Sequence, residues 1–234
     1  MKKDLKYIEK MDSIENESIY IKKCFTAMRT LAANPQIIRD TDDKDSSIIE
    51  RNYILSMVYN MGKADYLRDN TEFIFGSSSY LVGGEANKYI SLKGEKEIRT
   101  CCDLRFAIKD NKIEVIPDLV IHDSHNPDSG NSDEGQFLVL EAKTSRQLGE
   151  YYFMRDFFKL NACLAGLHFQ NAVYLVINKS ANTIDDYIAA YKKKKYYWYD
   201  HVKSKLCFFI QEKDAPELYK LKRKHNHIFF DLVV

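Results

Sequence analysis

No apolar run in this 234-residue chain is long enough to cross a bilayer: the longest, AVYLVI and FLVL, fall far short of the ~20 residues that a spanning helix needs. The opening stretch MKKDLKYIEKMDSIENES also lacks the apolar core of a signal peptide, so a cytoplasmic protein without membrane attachment is expected. A C-x-x-C pair is missing too. The cysteines Cys24, Cys101, Cys102, Cys163 and Cys207 are odd in number, which argues against a disulfide framework and a structural zinc site and leaves most of them as buried thiols. Nor is there a large excess of one charge. The formal net charge is +1, but residues 181–234 hold 11 Lys+Arg against 7 Asp+Glu, while the rest hold 24 against 27. The basic end is therefore C-terminal, and neither nucleic acid nor acidic partners are excluded. There are no internal repeats, and the one low-complexity piece is the loop over 123–135.

What is present is patterned. Ile21, Cys24, Phe25, Met28, Leu31 and Ala32 recur at helical spacing and stop at Asn34-Pro35. The polar RDTDDKDSS leads into a second helix over about 47–68, with a stripe through Glu50, Ile54, Met57, Met61 and Ala64. Over 72–98, GSSS and VGGEAN mark turns between short apolar pieces, and no element is assigned. Three strands are then expected, at CCDLRFAI, IEVIPDLVI and QFLVLEAKT, the first two forming a hairpin about KDNK. A helix over 147–168 carries Tyr151, Met154, Phe158 and Ala162 on one line and returns to the strand AVYLVINKS, so a β-helix-β crossover and a mixed sheet are implied. A helix near 182–195, a strand KLCFFIQ, a short helix near 214–223 and a strand HIFFDLVV complete the expectation.

Two of these strands carry charge where a sheet should be driest. Asp118 follows Pro117 inside a run of Ile, Val and Leu, and QFLVLEAKT ends in Glu141 and Lys143. An uncompensated charge in an apolar sheet costs several kcal/mol unless it is paired, hydrated or metal-bound. Alternation puts Phe137, Val139, Glu141 and Lys143 on one face of their strand and Leu138, Leu140 and Ala142 on the other, so both charges emerge on one side. The proline before Asp118 removes a ladder hydrogen bond and favours a bend or an edge.

PD at 117–118 and EAK at 141–143 resemble the PD-(D/E)XK nuclease superfamily, the restriction-endonuclease-like fold, as does the αβββαβ order read over roughly 45–180. The resemblance implies an α/β core with a mixed sheet flanked by helices (45–234) behind an N-terminal helical extension (1–44). It implies a Mg²⁺-dependent nuclease, with Mn²⁺ as substitute, that hydrolyses phosphodiester bonds in DNA as an endonuclease of a prokaryotic or phage system. Asp118 and Glu141 would hold the metal with the Ala142 backbone carbonyl, and Lys143 would orient the attacking water and offset developing charge. A glutamate on the leading helix often completes such sites, and Glu50 is the position that fits. Glu50 also fits a plainer role, because Ser47 and Glu50 in SIIE form a capping box. Cleaved sequence, DNA versus RNA, exo- versus endonuclease mode, and monomer versus homodimer stay open. So do two competing classes: a non-catalytic nucleic-acid-binding module that kept the fold, and a structural or toxin–antitoxin-like interaction protein.

Four further groups have two readings each. Gln147 and Tyr151 in QLGEY resemble a Q-h-x-x-Y motif of some of these nucleases but follow Lys143 too closely, and are read as helix-start residues. Asp156 and Lys159 in RDFFKL are read as a surface i,i+3 ion pair. His122, His125 and Asp128 lie in or beside a Gly/Ser/Asn-rich loop without metal-ligand spacing, and are read as solvated. In YKKKKYYWYD, Lys192, Lys193, Lys194 and Lys195 are followed by four aromatics: either a nucleic-acid-contacting patch or a solvated helix end followed by core aromatics.

Overall fold

The computed structural model describes residues 17–32, 46–69, 81–83, 87–122, 135–144, 148–212, 216–224 and 227–232. Its helices are α1 (Ile19–Ala32), α2 (Ser46–Asp69), α3 (Glu95–Asp103), α4 (Glu150–Gly166) and α5 (Ala181–Lys193). Its strands are β1 (Leu81–Gly83), β2 (Lys88–Ser91), β3 (Ile108–Lys109), β4 (Lys112–Val115), β5 (Leu119–His122), β6 (Gln136–Lys143), β7 (Asn171–Ile177), β8 (Leu206–Gln211), β9 (Glu217–Lys224) and β10 (His227–Leu232). Seven strands form a mixed sheet in the order β1-β5-β6-β7-β8-β9-β10, parallel across β6, β7 and β8 and antiparallel outside them. A second sheet, β2-β4-β3, packs beside α4. Among the described residues no helix is long and apolar enough to cross a membrane.

Both faces of the large sheet are covered, which is why β7 is apolar throughout. Ala172, Tyr174 and Val176 enter a core with α4 and α5, while Val173, Leu175 and Ile177 enter one with α1 and α2. The spacing in α1 buries Ile21, Cys24, Phe25, Met28 and Leu31, each of the larger ones contributing roughly 1.5–3 kcal/mol of burial. Phe25 meets Phe209 edge-on at 5.3 Å between ring centres. Four of the five cysteines are buried and Cys102 is exposed. Burial pushes the thiols of Cys24, Cys101, Cys163 and Cys207 up to about 12, so they serve as packing groups.

Several sequence expectations change. CCDLRFAI is not a strand. Cys102, Leu104 and Phe106 satisfy period 2, but Cys102 is exposed while Glu97, Thr100 and Cys101 are buried at helical spacing, and Glu97 accepts from the Lys93 amide at 2.7 Å. The helix α3 therefore runs to Asp103, and Arg105 turns the chain in a left-handed conformation (φ 55°). IEVIPDLVI breaks at Ile116-Pro117 into β4, in the small sheet, and β5, in the large one. The KDNK turn stands, with Asp110 and Asn111 both at positive φ between the paired Lys109 and Lys112. The strand partnering β5 is β1, from the stretch with no assigned element. Residues 216–223 hold no helix where one was expected over 214–223, of which 214 and 215 lie outside the described residues: Leu218 pairs with Phe209 and Tyr219 with Phe208 in β9, so ladder partners override an L-x-x-L spacing that also fits a helix. Phe137 leaves the face expected of it. The β5–β6 register slips between Ile121 and His122, so Phe137 is passed over and stacks on Tyr20 of α1, with ring centres 4.8 Å apart.

Candidate functional site

The break at Pro117 sets the site. Ile116 stays exposed, the chain crosses from one sheet to the other, and Asp118 arrives beside the C-terminal half of β6. Its Oδ2 accepts a hydrogen bond from the Ala142 amide at 2.7 Å, beyond the last β5–β6 pair, Leu119 with Leu140. Ala142 itself is buried, its methyl in the α1–α2 core. Glu141 points the other way, towards α4, and is only 1% exposed.

Lys143 emerges one step further along β6. Its Nζ donates to Glu50 Oε1 at 2.9 Å and lies 3.7 Å from Asp156 Oδ2. Glu50, on the first turns of α2, thus reaches a residue 93 positions away in the chain. The side chain of Ser47, the other half of the capping box, lies outside the described residues.

Asp156 and Lys159 are not a surface pair. The aromatic face around them, with Phe157 and Phe158 fully buried, holds α4 tight against the sheet, and both side chains are 12% exposed. Lys159 Nζ lies 2.6 Å from Glu141 Oε2 and 3.6 Å from Asp156 Oδ1, and donates to the Ile116 carbonyl at 3.1 Å. Tyr174 of β7 donates to Asp156 Oδ2 at 3.5 Å. The cluster is a chain of alternating charge, Glu50–Lys143–Asp156–Lys159–Glu141, with Asp118 alongside. The sequence signal for the two missed members was weak: RDFFKL sits in a helix apolar on most sides, but an exposed face marked by Tyr152 and Arg155 remains for charges to occupy.

Four carboxylates against two ammonium groups leave the cluster at a formal −2, and the titration directions follow. Burial drives the Glu141 carboxyl well above the ordinary carboxylate range; Lys159 opposes this, and Asp118 and Asp156 reinforce it. Burial likewise raises Glu50 and Asp118 against the pull of Lys143. Burial alone would lower both lysines, but their carboxylate neighbours outweigh it, Asp156 first for Lys143 and Glu141 first for Lys159, and both are raised. Oε1 of Glu141 has no hydrogen-bond partner. Among the described residues, no three His, Cys, Asp or Glu side chains converge closely enough to enclose a metal ion, because Lys143 and Lys159 stand between the carboxylates.

Other expected groups lie elsewhere. Gln147, His125 and Asp128 fall outside the described residues; His122 ends β5, away from Asp118. Tyr151 donates to the Leu104 carbonyl at 2.9 Å, fastening the α3–β3 connection to α4. The aromatics after the lysine run are packing groups: Trp198 meets Phe157 edge-on at 5.0 Å, and Tyr199 is buried and donates to Glu97. Lys193, Lys194 and Lys195 are exposed, while Lys192 is partly buried with its ammonium 5.7 Å over Trp198. Tyr191, just ahead of the run, meets Phe157 of α4 edge-on at 5.0 Å, so the lysines follow the part of α5 that packs beside the middle of α4.

Compared with protein-family models, with curated proteins and with solved structures, the chain matches none.

Proposed function

We propose that the chain is a metal-dependent nuclease of the PD-(D/E)XK type, hydrolysing phosphodiester bonds in DNA as an endonuclease. The observation that carries the reading is the convergence of Glu50, Asp118, Glu141 and Lys143, distant in sequence, at one end of the β5–β6 pair with a net formal charge of −2. The large sheet supports it: α2, an antiparallel β1–β5–β6 trio, the α4 crossover and a parallel β7 match the αβββαβ order of that superfamily once β2, α3, β3 and β4 are taken as an insertion between β1 and β5.

The residues fit Mg²⁺. The donors are carboxylate oxygens, which suit a hard cation, one buried oxygen of Glu141 has no partner, and a divalent ion would cancel the −2. Asp118 and Glu141 would hold it, with the Ala142 carbonyl and Glu50 adjoining. When bound, the ion supplies a more acidic water and offsets charge on the phosphate. The chain's own part is positional. Lys143, gripped between Glu50 and Asp156, presents an ammonium that orients the water and offsets negative charge growing on the phosphate oxygens. The water oxygen bonds to phosphorus, the P–O bond to one sugar oxygen breaks, and that oxygen leaves protonated.

A binding module that retains the fold is the second reading, favoured by the enclosure of Glu141 at 1% exposure. Incubating the protein with circular and linear DNA, in Mg²⁺ and in EDTA, separates the two. Mg²⁺-dependent nicking or linearisation of the circle is expected of the endonuclease. Retention of intact circles under all conditions, with DNA bound, supports the module.

A further inference from the structure

Lys159 has no place in the reading above, yet it makes the shortest contact of the site. Its Nζ is 2.6 Å from Glu141 Oε2, where the opposite charges have their strongest attraction, and the same ammonium reaches the Ile116 carbonyl and Asp156. Glu141 is sealed: 1% exposed, between β7 and α4, with both carboxylate oxygens shut off from solvent. A cation that binds Glu141, at Oε2 or at the unpartnered Oε1, comes to lie beside this ammonium, so two like charges compete for one carboxylate. The Ile116 carbonyl at 3.1 Å and Asp156 Oδ1 at 3.6 Å already share the ammonium, and its flexible four-carbon stem lets it settle more closely on them when it leaves Glu141.

We infer that Lys159 is the resident counter-ion of the metal position: its ammonium and a divalent cation compete for Glu141, and metal uptake moves Lys159 from Glu141 onto Asp156 and the Ile116 carbonyl. The inference rests on the metal-site reading of the proposed function and adds to it a built-in gate. With the ammonium in place the sheet tolerates Glu141 without metal, and metal affinity is set by an exchange instead of by filling an open cage. That exchange also accounts for the lack of three converging ligand side chains among the described residues.

The test is calorimetric titration of Mn²⁺ into the wild-type protein, Lys159→Gln and Lys143→Gln, without DNA. Both variants lose one positive charge from the same cluster, but only Lys159 stands on Glu141. Competition predicts that Lys159→Gln binds Mn²⁺ at least about tenfold more tightly than wild type, with a much smaller gain for Lys143→Gln. Equal gains overturn the inference, because they report bulk charge alone, and so does unchanged affinity in Lys159→Gln. No binding by any of the three overturns the metal-site reading and the inference with it. Should Lys159→Gln fail to fold, wild type gives an independent reading: the side-chain ¹⁵Nζ resonance of Lys159 should shift on adding Mg²⁺ with the midpoint that calorimetry with Mg²⁺ gives, and a resonance that stays put overturns the exchange.

Discussion

Lys143 and Lys159 on one side, and Lys192 to Lys195 on the other, are the same residue type in opposite circumstances. The first pair is spaced 16 positions apart and largely enclosed, each ammonium between two carboxylates, with titration raised by its neighbours. The second group is consecutive and mostly exposed; Lys192, partly buried against Trp198, is lowered, burial outweighing the pull of Asp185. The run that is obvious in the sequence is the one with the weaker surroundings. Charge density along a chain says little about field strength, because an exposed ammonium is screened by water and salt, whereas an enclosed one keeps most of its interaction. Function at the enclosed pair and tolerance at the exposed run are the contrast to be tested.

The largest effect is expected at the carboxylates that the enclosed lysines serve. Asp118→Ala and Glu141→Ala should each abolish cleavage and weaken Mn²⁺ binding in calorimetry while the fold is kept, since removing one carboxylate also relieves repulsion from the remaining three. An Asp118→Ala protein that takes up metal like wild type would remove Asp118 from the site. Next comes Lys143→Ala, expected to slow single-turnover cleavage by about 10²–10³-fold while DNA binding measured in Ca²⁺ stays near wild type, because the ammonium acts mainly on charge that grows at the transition state. Lys143→Arg should be poor as well, a planar fork being a bad substitute for a compact ammonium held between Glu50 and Asp156. Cleavage near the wild-type rate in Lys143→Ala would move the weight to the binding module.

The enclosed cluster also predicts a pH dependence that the exposed run cannot produce. Glu50, Asp118 and Glu141 have carboxyls raised by burial, so the folded protein holds their protons more tightly than the unfolded chain does. The stability they contribute is full below their ordinary values, 4.5 for Glu50 and Glu141 and 3.8 for Asp118, and is lost as pH rises through the raised folded values. Lys143 and Lys159 are raised from 10.5, so their contribution is complete across this range and fades only in alkali. In EDTA the melting temperature should therefore fall as pH climbs from the carboxylate range towards neutrality, Mg²⁺ should restore it, and Glu141→Gln should flatten the slope. A flat wild-type profile would mean that the carboxylates titrate normally and the cluster is wetter than its geometry indicates.

The legible parts of this fold were those with one strong period. α1 and the apolar β7 and β8 were readable because one stripe or one continuous run decides each of them, and Asp118, Glu141 and Lys143 stood out as charges in apolar strands. What misled was spacing that satisfies two periods at once. Cys102, Leu104 and Phe106 alternate as in a strand while Cys101 and Leu104 fit a helix end, and Leu218 with Leu221 fits a helix although neighbours in β8 make it a strand. Asp156 and Lys159 were passed over for a related reason. An i,i+3 pair of opposite charges is usually on the surface, and only the arrival of β6 beneath α4 shows that this one faces Glu141. Where IEVIPDLVI divides between two sheets is likewise a tertiary fact, marked in the sequence by Pro117 alone.

The smallest effect belongs to the exposed run. Replacing Lys193, Lys194 and Lys195 together with Gln leaves Lys192 on Trp198 and leaves the packing of Tyr191, Trp198 and Tyr199 untouched, so stability should stay within about 0.5 kcal/mol of wild type. If DNA passes over this end of the sheet, each lost phosphate contact lowers the slope of log K against log salt by about 0.9, and affinity falls modestly at low salt. The single-turnover rate at saturating protein should be unchanged, because these ammonium groups are exposed and screened by water and salt. An identical salt slope in the triple variant would leave these lysines as solvating groups at a helix end. A changed chemical rate would mean that the two groups of lysines act on the same stretch of substrate, and the contrast between them would collapse.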